Sequence, residues 1–190
     1  MSRRSLLAIG LLLASPLTMA HPASEHAGIS AGLLHAFTGF DHLLAMLALG
    51  IWSAALPAQT QRQIHFGMPL VLIAAFLTGV LFAPQSVALA DLGIALSLVM
   101  TGVLIANRTL PISAHAALLI SGLCVALHGF AHSEALTGAV GGFAAGLVIS
   151  SSLLLQAGRW IGQGLRSYRP QALILAGTLV SGAGVGLALA

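Results

Sequence analysis

Eight histidines and four acidic residues stand out in a 190-residue chain that is otherwise overwhelmingly apolar, and their spacing suits cation coordination. His35 and His42 are two helical turns apart, which puts them within about 20° of one helix face and separates them by about 10 Å in depth. That separation fits two stations on a path rather than one site. Asp41 would point about 100° away from His42 on a straight helix, but the adjacent Thr38-Gly39 pair is placed to loosen the helix and turn the carboxylate inward. The other reading of Asp41 is a hydrogen bond that fixes a histidine tautomer on a neighbouring helix. His128 and His132 stand at i and i+4, so both imidazoles face one direction and can share an ion. Glu134 follows directly, and Asp91 is expected at similar depth. His21 and His26 flank Glu25 near the start of the chain, and His65 and His115 stand apart from the other groups. Each of these also has a plainer reading: His65 and His115 as helix-packing hydrogen-bond partners, His21 and His26 as solvated tail residues, Asp91 as a helix N-cap.

Imidazole with some carboxylate suits divalent nickel, cobalt, zinc, copper or iron. Oxygen-only sites of the magnesium or calcium kind do not fit this donor set, and Met46, Met68 and Met100, which lie singly, read as packing rather than as ligands for monovalent copper. The single cysteine, Cys124, excludes an internal disulfide and any cysteine-rich zinc or iron–sulfur site. No G-x-x-x-x-G-K-[ST] loop is present, so the chain does not hydrolyse nucleotide. The pair His128/His132 lacks the intervening glutamate of H-E-x-x-H, and no nucleophile elbow occurs, so the chain does not read as an enzyme. No permanently bound cofactor is expected.

The elements that must position these residues follow from composition. Hydrophobic residues make up 58% of the chain and charged residues 6%, against about a quarter charged in an ordinary soluble domain. Mean hydropathy is +1.01. So few charges cannot cover a water-facing surface, and the lipid bilayer is the expected solvent. The calculated pI of 10.6 comes from seven dispersed arginines without lysine, which form no basic stripe, so nucleic acid is not an expected partner. Residues 1–20 read as a cleavable signal peptide: Arg3-Arg4, an apolar run from Leu6 to Ala14, and a small-residue stretch ending at Ala20. The remaining chain, 21–190, reads as one transmembrane domain. Six spans are expected, near 32–56, 67–83, 87–106, 112–132, 138–157 and 172–190, each close to the roughly 20 residues that cross the hydrocarbon core. Turns are expected at Pro57-Ala58-Gln59, Pro84-Gln85-Ser86, 107–111, Ser133-Glu134 and 158–170. With the mature N-terminus outside, Arg62, Arg108, Arg159, Arg166 and Arg169 all fall in inner loops, which is the positive-inside pattern. This predicts a bacterial inner-membrane protein with both mature termini periplasmic. His35, Asp91, His128 and His132 then lie toward the outer face, and His65 and His115 at the inner ends. The 22 glycines allow close helix approach. G-x-x-x-G runs at Gly138, Gly142 and Gly146 and at Gly182 and Gly186 read as bundle packing, with a homo-oligomer contact as the alternative. Gly39-Phe40-Asp41-His42 and Gly129-Phe130-Ala131-His132 form a faint internal echo.

The stretch His35-Ala36-Phe37-Thr38-Gly39-Phe40-Asp41-His42, with the apolar run through Trp52, resembles the signature of the HupE/UreJ family of small metal permeases, and His128-Gly129-Phe130-Ala131-His132 resembles its second motif. The similarity covers essentially the whole mature chain. It implies import of nickel, in some members cobalt, in the service of hydrogenase, urease or cobalamin metabolism. It also implies that His35, Asp41, His42, His128 and His132 carry transport. Two departures stand out. The family commonly has His-Pro where His35-Ala36 stands, so the kink expected there is lost or moves toward Gly39. The family's glutamate after the second motif falls one position later than Glu134. The expectation is a permease that moves a divalent transition metal, most readily Ni2+, from periplasm to cytoplasm, with a cobalt permease or a non-transporting membrane assembly factor as alternatives.

Overall fold

The computed structural model describes residues 28–82, 87–107, 110–135 and 140–189. The expected signal segment, His21, His26 and the turn at residues 84–86 lie outside the described residues. Those described form seven α-helices, one short 3-10 helix and no strand: α1 Ile29–Thr38, α2 Phe40–Ser53, α3 Ala58–Phe82, α4 Val87–Ala106, α5 Ala114–Ala131, the 3-10 turn His132–Ala135, α6 Val140–Tyr168 and α7 Ala172–Ala188. The chain is an all-α membrane protein. By length and apolarity, α3, α5 and α6 each suffice to cross a bilayer, and α1 with α2 makes a fourth, broken span; α7 and the Asp91–Ala106 part of α4 are shorter apolar helices.

The distribution of side chains is that of a protein whose solvent is lipid. Leu70, Leu81, Phe82 and Leu119 face outward, each at least 70% exposed, while His42, Ser121, His128, Ser150 and Ser151 are buried. With no water to satisfy them, hydroxyls on the helices bond back to their own backbone. Ser150, Ser151 and Ser152 donate to the carbonyls of Gly146, Leu147 and Val148.

Two expectations about boundaries are corrected. The stretch 58–66 is not loop: α3 starts directly after Pro57 and runs through the buried Pro69. The stretch 158–168 is not loop either, because α6 continues to Tyr168. Its glycines do not break the helix, since Gly158 and Gly162 face the α2 backbone at Leu47 and Ile51, where a side chain would collide. The same device works one end up, where Gly142 and Gly146 meet Gly28, Ile29 and Leu33 of the α1 segment. α6 is thus the spine against which both halves of the broken span lie. α3 pairs with α5 and α4 with α7, the latter through Gly102, Gly177 and Gly184. A Cβ added at Gly182 or Gly186 would meet no described residue within 4 Å, so these two do not serve close helix packing among the described residues. Ser113 caps α5, its Oγ accepting from the Ala116 N–H at 3.2 Å.

Candidate functional site

The site is built on the break in the first span. At Gly39 the backbone leaves the helical region (φ −72°, ψ 105°), and α1 and α2 bend by 77°. The Gly39 N–H closes α1 on the His35 carbonyl at 2.8 Å, and its own carbonyl receives the Leu43 N–H at 2.9 Å as α2 begins. The kink expected near His35-Ala36 or Gly39 is therefore at Gly39. Its consequence is that His35 and His42 are not spaced as on one straight helix. Both rings reach the same partner, His132 at the end of α5.

His35 Nε2 lies 2.8 Å from His132 Nδ1, and His42 Nδ1 lies 2.7 Å from His132 Nε2. His42 Nε2 continues to Ser151 Oγ on α6 at 2.9 Å. Three imidazoles and one hydroxyl, from four helical segments, thus form a continuous chain. The two echoing motifs meet here, since His42 and His132 are their last residues. Phe143 covers the His35 ring at 5.5 Å between centroids and stacks on Phe76.

His128 stands beside the chain, its ring centroid 5.9 Å from His42 and 6.4 Å from His132. Its Nδ1 lies 2.9 Å from the Cys124 carbonyl, which only accepts, so Nδ1 carries the proton and Nε2 the lone pair. That Nε2 is buried and has no hydrogen-bond partner among the described residues. A backbone carbonyl on one ring nitrogen and a bare lone pair on the other is the arrangement of a histidine prepared to ligate a metal. Asp41 is half-buried in the first turn of α2.

No set of three or more described His, Cys, Asp or Glu side chains is arranged to hold an ion as the rings stand. Nitrogen ligands about 2.0–2.1 Å from a metal are about 3.3 Å apart in a tetrahedral site. The 2.7 and 2.8 Å ring contacts must open before an ion can be shared.

The remaining candidates are dispersed. Asp91 and His115 are exposed, away from the cluster. Glu134 lies on the 3-10 turn, and its side chain is outside the described residues. His65, on α3, belongs to a second polar group: with the Gln156 amide turned so that both its ends are satisfied, its nitrogen donates to His65 Nε2 at 3.3 Å and its oxygen accepts from Trp160 Nε1 at 2.7 Å and Arg159 Nη2 at 2.9 Å. Ser151 and Gln156 were not evident as site residues. The signal for them was a run of polar residues, Ser150-Ser151-Ser152 and then Gln156, inside an apolar helix. A cavity of about 280 Å³ lies between the ends of α2 and α4 and the start of α7, lined by Trp52, Ile105, Arg166 and Leu173; it touches none of the histidines.

The family model described as HupE / UreJ protein matches residues 9–187. The chain belongs to the HupE/UreJ family. It is similar to Protein HupE of Rhizobium leguminosarum bv. viciae, at 33% identity over 138 residues covering 68% of this chain and 70% of that one. No solved structure matches the chain. HupE/UreJ is a family of transporter and accessory proteins, not of enzymes. For this HupE/UreJ member, the cluster at the α1–α2 break joins His35, His42 and His132 of its two motifs by direct contacts, with the His128 ring 5.9 Å from His42 between centroids.

Proposed function

We propose that the protein is a permease importing a divalent transition metal, Ni2+ in the first place, across the bacterial inner membrane from periplasm to cytoplasm. The observation that carries this reading is the convergence of the buried His42, His128 and His132 with the half-buried His35, the His128 Nε2 having no hydrogen-bond partner among the described residues. Ionisable groups in the membrane interior are expensive, at about 2.5–3.5 kcal/mol each on insertion scales, and mark ion pathways. Membership of a family implicated in nickel or cobalt uptake supports a metal of this pair as cargo.

Conduction requires sites weak enough to release the ion, and here coordination by His132 must displace existing hydrogen bonds. The ion first meets His128 Nε2 and the His35 end, moves along His132 and His42, and leaves past the polar group at His65 and Gln156. A dication crossing down a 100 mV potential gains about 4.6 kcal/mol, twice the 2.3 kcal/mol of a single charge. Cells lacking their own importers and expressing this chain should accumulate radiolabelled nickel, and His42→Ala and His132→Ala should reduce accumulation to background. Undiminished uptake by both variants sinks the pathway. Nickel binding by the wild type without uptake favours the assembly-factor reading, and preferential accumulation of labelled cobalt favours the cobalt permease.

A further inference from the structure

The hydrogen-bond chain through the cluster has a direction, and one hydroxyl sets it. Ser151 Oγ donates its proton to the Leu147 carbonyl at 2.6 Å, and a hydroxyl has only one proton to give. In the 2.9 Å contact between Ser151 Oγ and His42 Nε2, the imidazole must therefore be the donor. His42 is then protonated at Nε2, and its Nδ1 is a lone pair facing His132. The 2.7 Å contact to His132 Nε2 requires His132 to donate, which leaves His132 Nδ1 as the lone pair. By the same step, His35 Nε2 donates across the 2.8 Å contact to His132.

We propose that Ser151 is a positioning residue for ion transfer: anchored to its own helix backbone, it holds His42, His132 and His35 in the Nε2–H tautomer, so that each lone pair in the chain opens toward the His35 end. The consequence for transfer rests on the permease reading. An ion coming from the His35 side that swings the His35 ring aside uncovers the Nδ1 lone pair of His132. Swinging His132 aside then uncovers the Nδ1 lone pair of His42. Each step needs a ring rotation and no loss of an N–H proton. In a chain of opposite polarity the ion would meet an N–H at both positions. His128 is independent of this order, because the Cys124 carbonyl fixes its tautomer separately.

Removing the hydroxyl should reverse the chain. In Ser151→Ala the buried His42 Nε2–H has no acceptor, and a buried orphan donor is the costly outcome. The chain avoids it when His42 donates from Nδ1 to His132 Nε2 and His132 donates from Nδ1 to His35 Nε2. Ser151→Thr retains both the hydroxyl and its bond to the preceding turn.

The test is solid-state NMR of the full-length, metal-free protein in lipid bilayers with 15N-labelled, sequence-assigned histidines, which distinguishes protonated from bare ring nitrogens. Wild type and Ser151→Thr should show His35, His42 and His132 protonated at Nε2 and His128 at Nδ1. Ser151→Ala should show the first three protonated at Nδ1 with His128 unchanged. An Nδ1–H His42 in the wild type, or unchanged tautomers in Ser151→Ala, overturns the proposal. This readout contains no metal, so its failure is separate from failure of the permease reading. Nickel uptake should fall several-fold in Ser151→Ala and recover in Ser151→Thr; equal uptake by all three proteins overturns the transfer role.

Discussion

Replacing Gly146 with alanine places a methyl group where α6 meets α1, with α1 backbone atoms as its three nearest neighbours. A Cβ there would overlap the Ile29 carbonyl and stand 2.7 Å from the Leu33 amide nitrogen and 3.0 Å from the Gly32 carbonyl carbon. All three are backbone atoms of one short helix, so no side chain can rotate away and α1 must move as a body. Restoring ordinary contact at 3.4 Å to Leu33 alone requires a shift of about 0.7 Å. His35 rides on α1, so the same shift stretches its 2.8 Å bond to His132 toward the 3.5 Å limit of a hydrogen bond. Overpacking of this kind costs about 1–3 kcal/mol. For a chain of this size that lowers the thermal midpoint by about 2–12 °C. Gly182→Ala is the matched control, because an added Cβ there would meet no described residue within 4 Å. The assay pairs the thermal midpoint of purified protein in detergent with nickel uptake by cells expressing each variant. Gly146→Ala should lower both, with uptake falling more than the surviving folded fraction explains, and Gly182→Ala should change neither. Wild-type uptake by Gly146→Ala, or equal damage from both substitutions, refutes the coupling between α6 packing and the histidine chain.

Gly39→Ala should reduce uptake while leaving the protein folded: alanine favours helix over glycine by about 1 kcal/mol, its Cβ would stand 3.0 Å from the His35 carbonyl, and full uptake would show that the break is not needed. Ser121→Ala should leave the thermal midpoint unchanged or raise it, because the buried Ser121 hydroxyl has no hydrogen-bond partner among the described residues; a fall of several degrees would count against that. Gln156→Leu removes the partner shared by His65, Arg159 and Trp160 and should cost about 1–3 kcal/mol in unfolding measurements, whereas an unchanged midpoint would show that the group is satisfied in another way.

The division of labour between sequence and structure is visible in particular residues. His128 and His132 could be placed on one helix face because the i, i+4 relation is local and survives any tertiary arrangement. That they would not share an ion as they stand could not be read, because His128 turns its Nδ1 to the Cys124 carbonyl and His132 is drawn to His35 and His42. Glycines gave the opposite lesson. Gly142, Gly158, Gly182 and Gly186 look alike in an apolar helix, yet the first two lie against a neighbouring backbone and the last two against no described residue. Only the identity of the facing helix separates them.

Composition alone determined that lipid is the solvent, since 6% charged residues cannot cover a surface in water. Local spacing and the two histidine motifs determined which residues to test and which family the chain resembles. Tertiary structure decided how those residues meet. A straight helix would keep His35 and His42 about 10 Å apart, and the 77° bend at Gly39 brings both onto His132. The orientation of protons along the chain depends on Ser151, 109 residues from His42 in sequence. No local pattern could predict that contact, because it exists only where α6 packs along α2 closely enough for a hydroxyl to reach the ring.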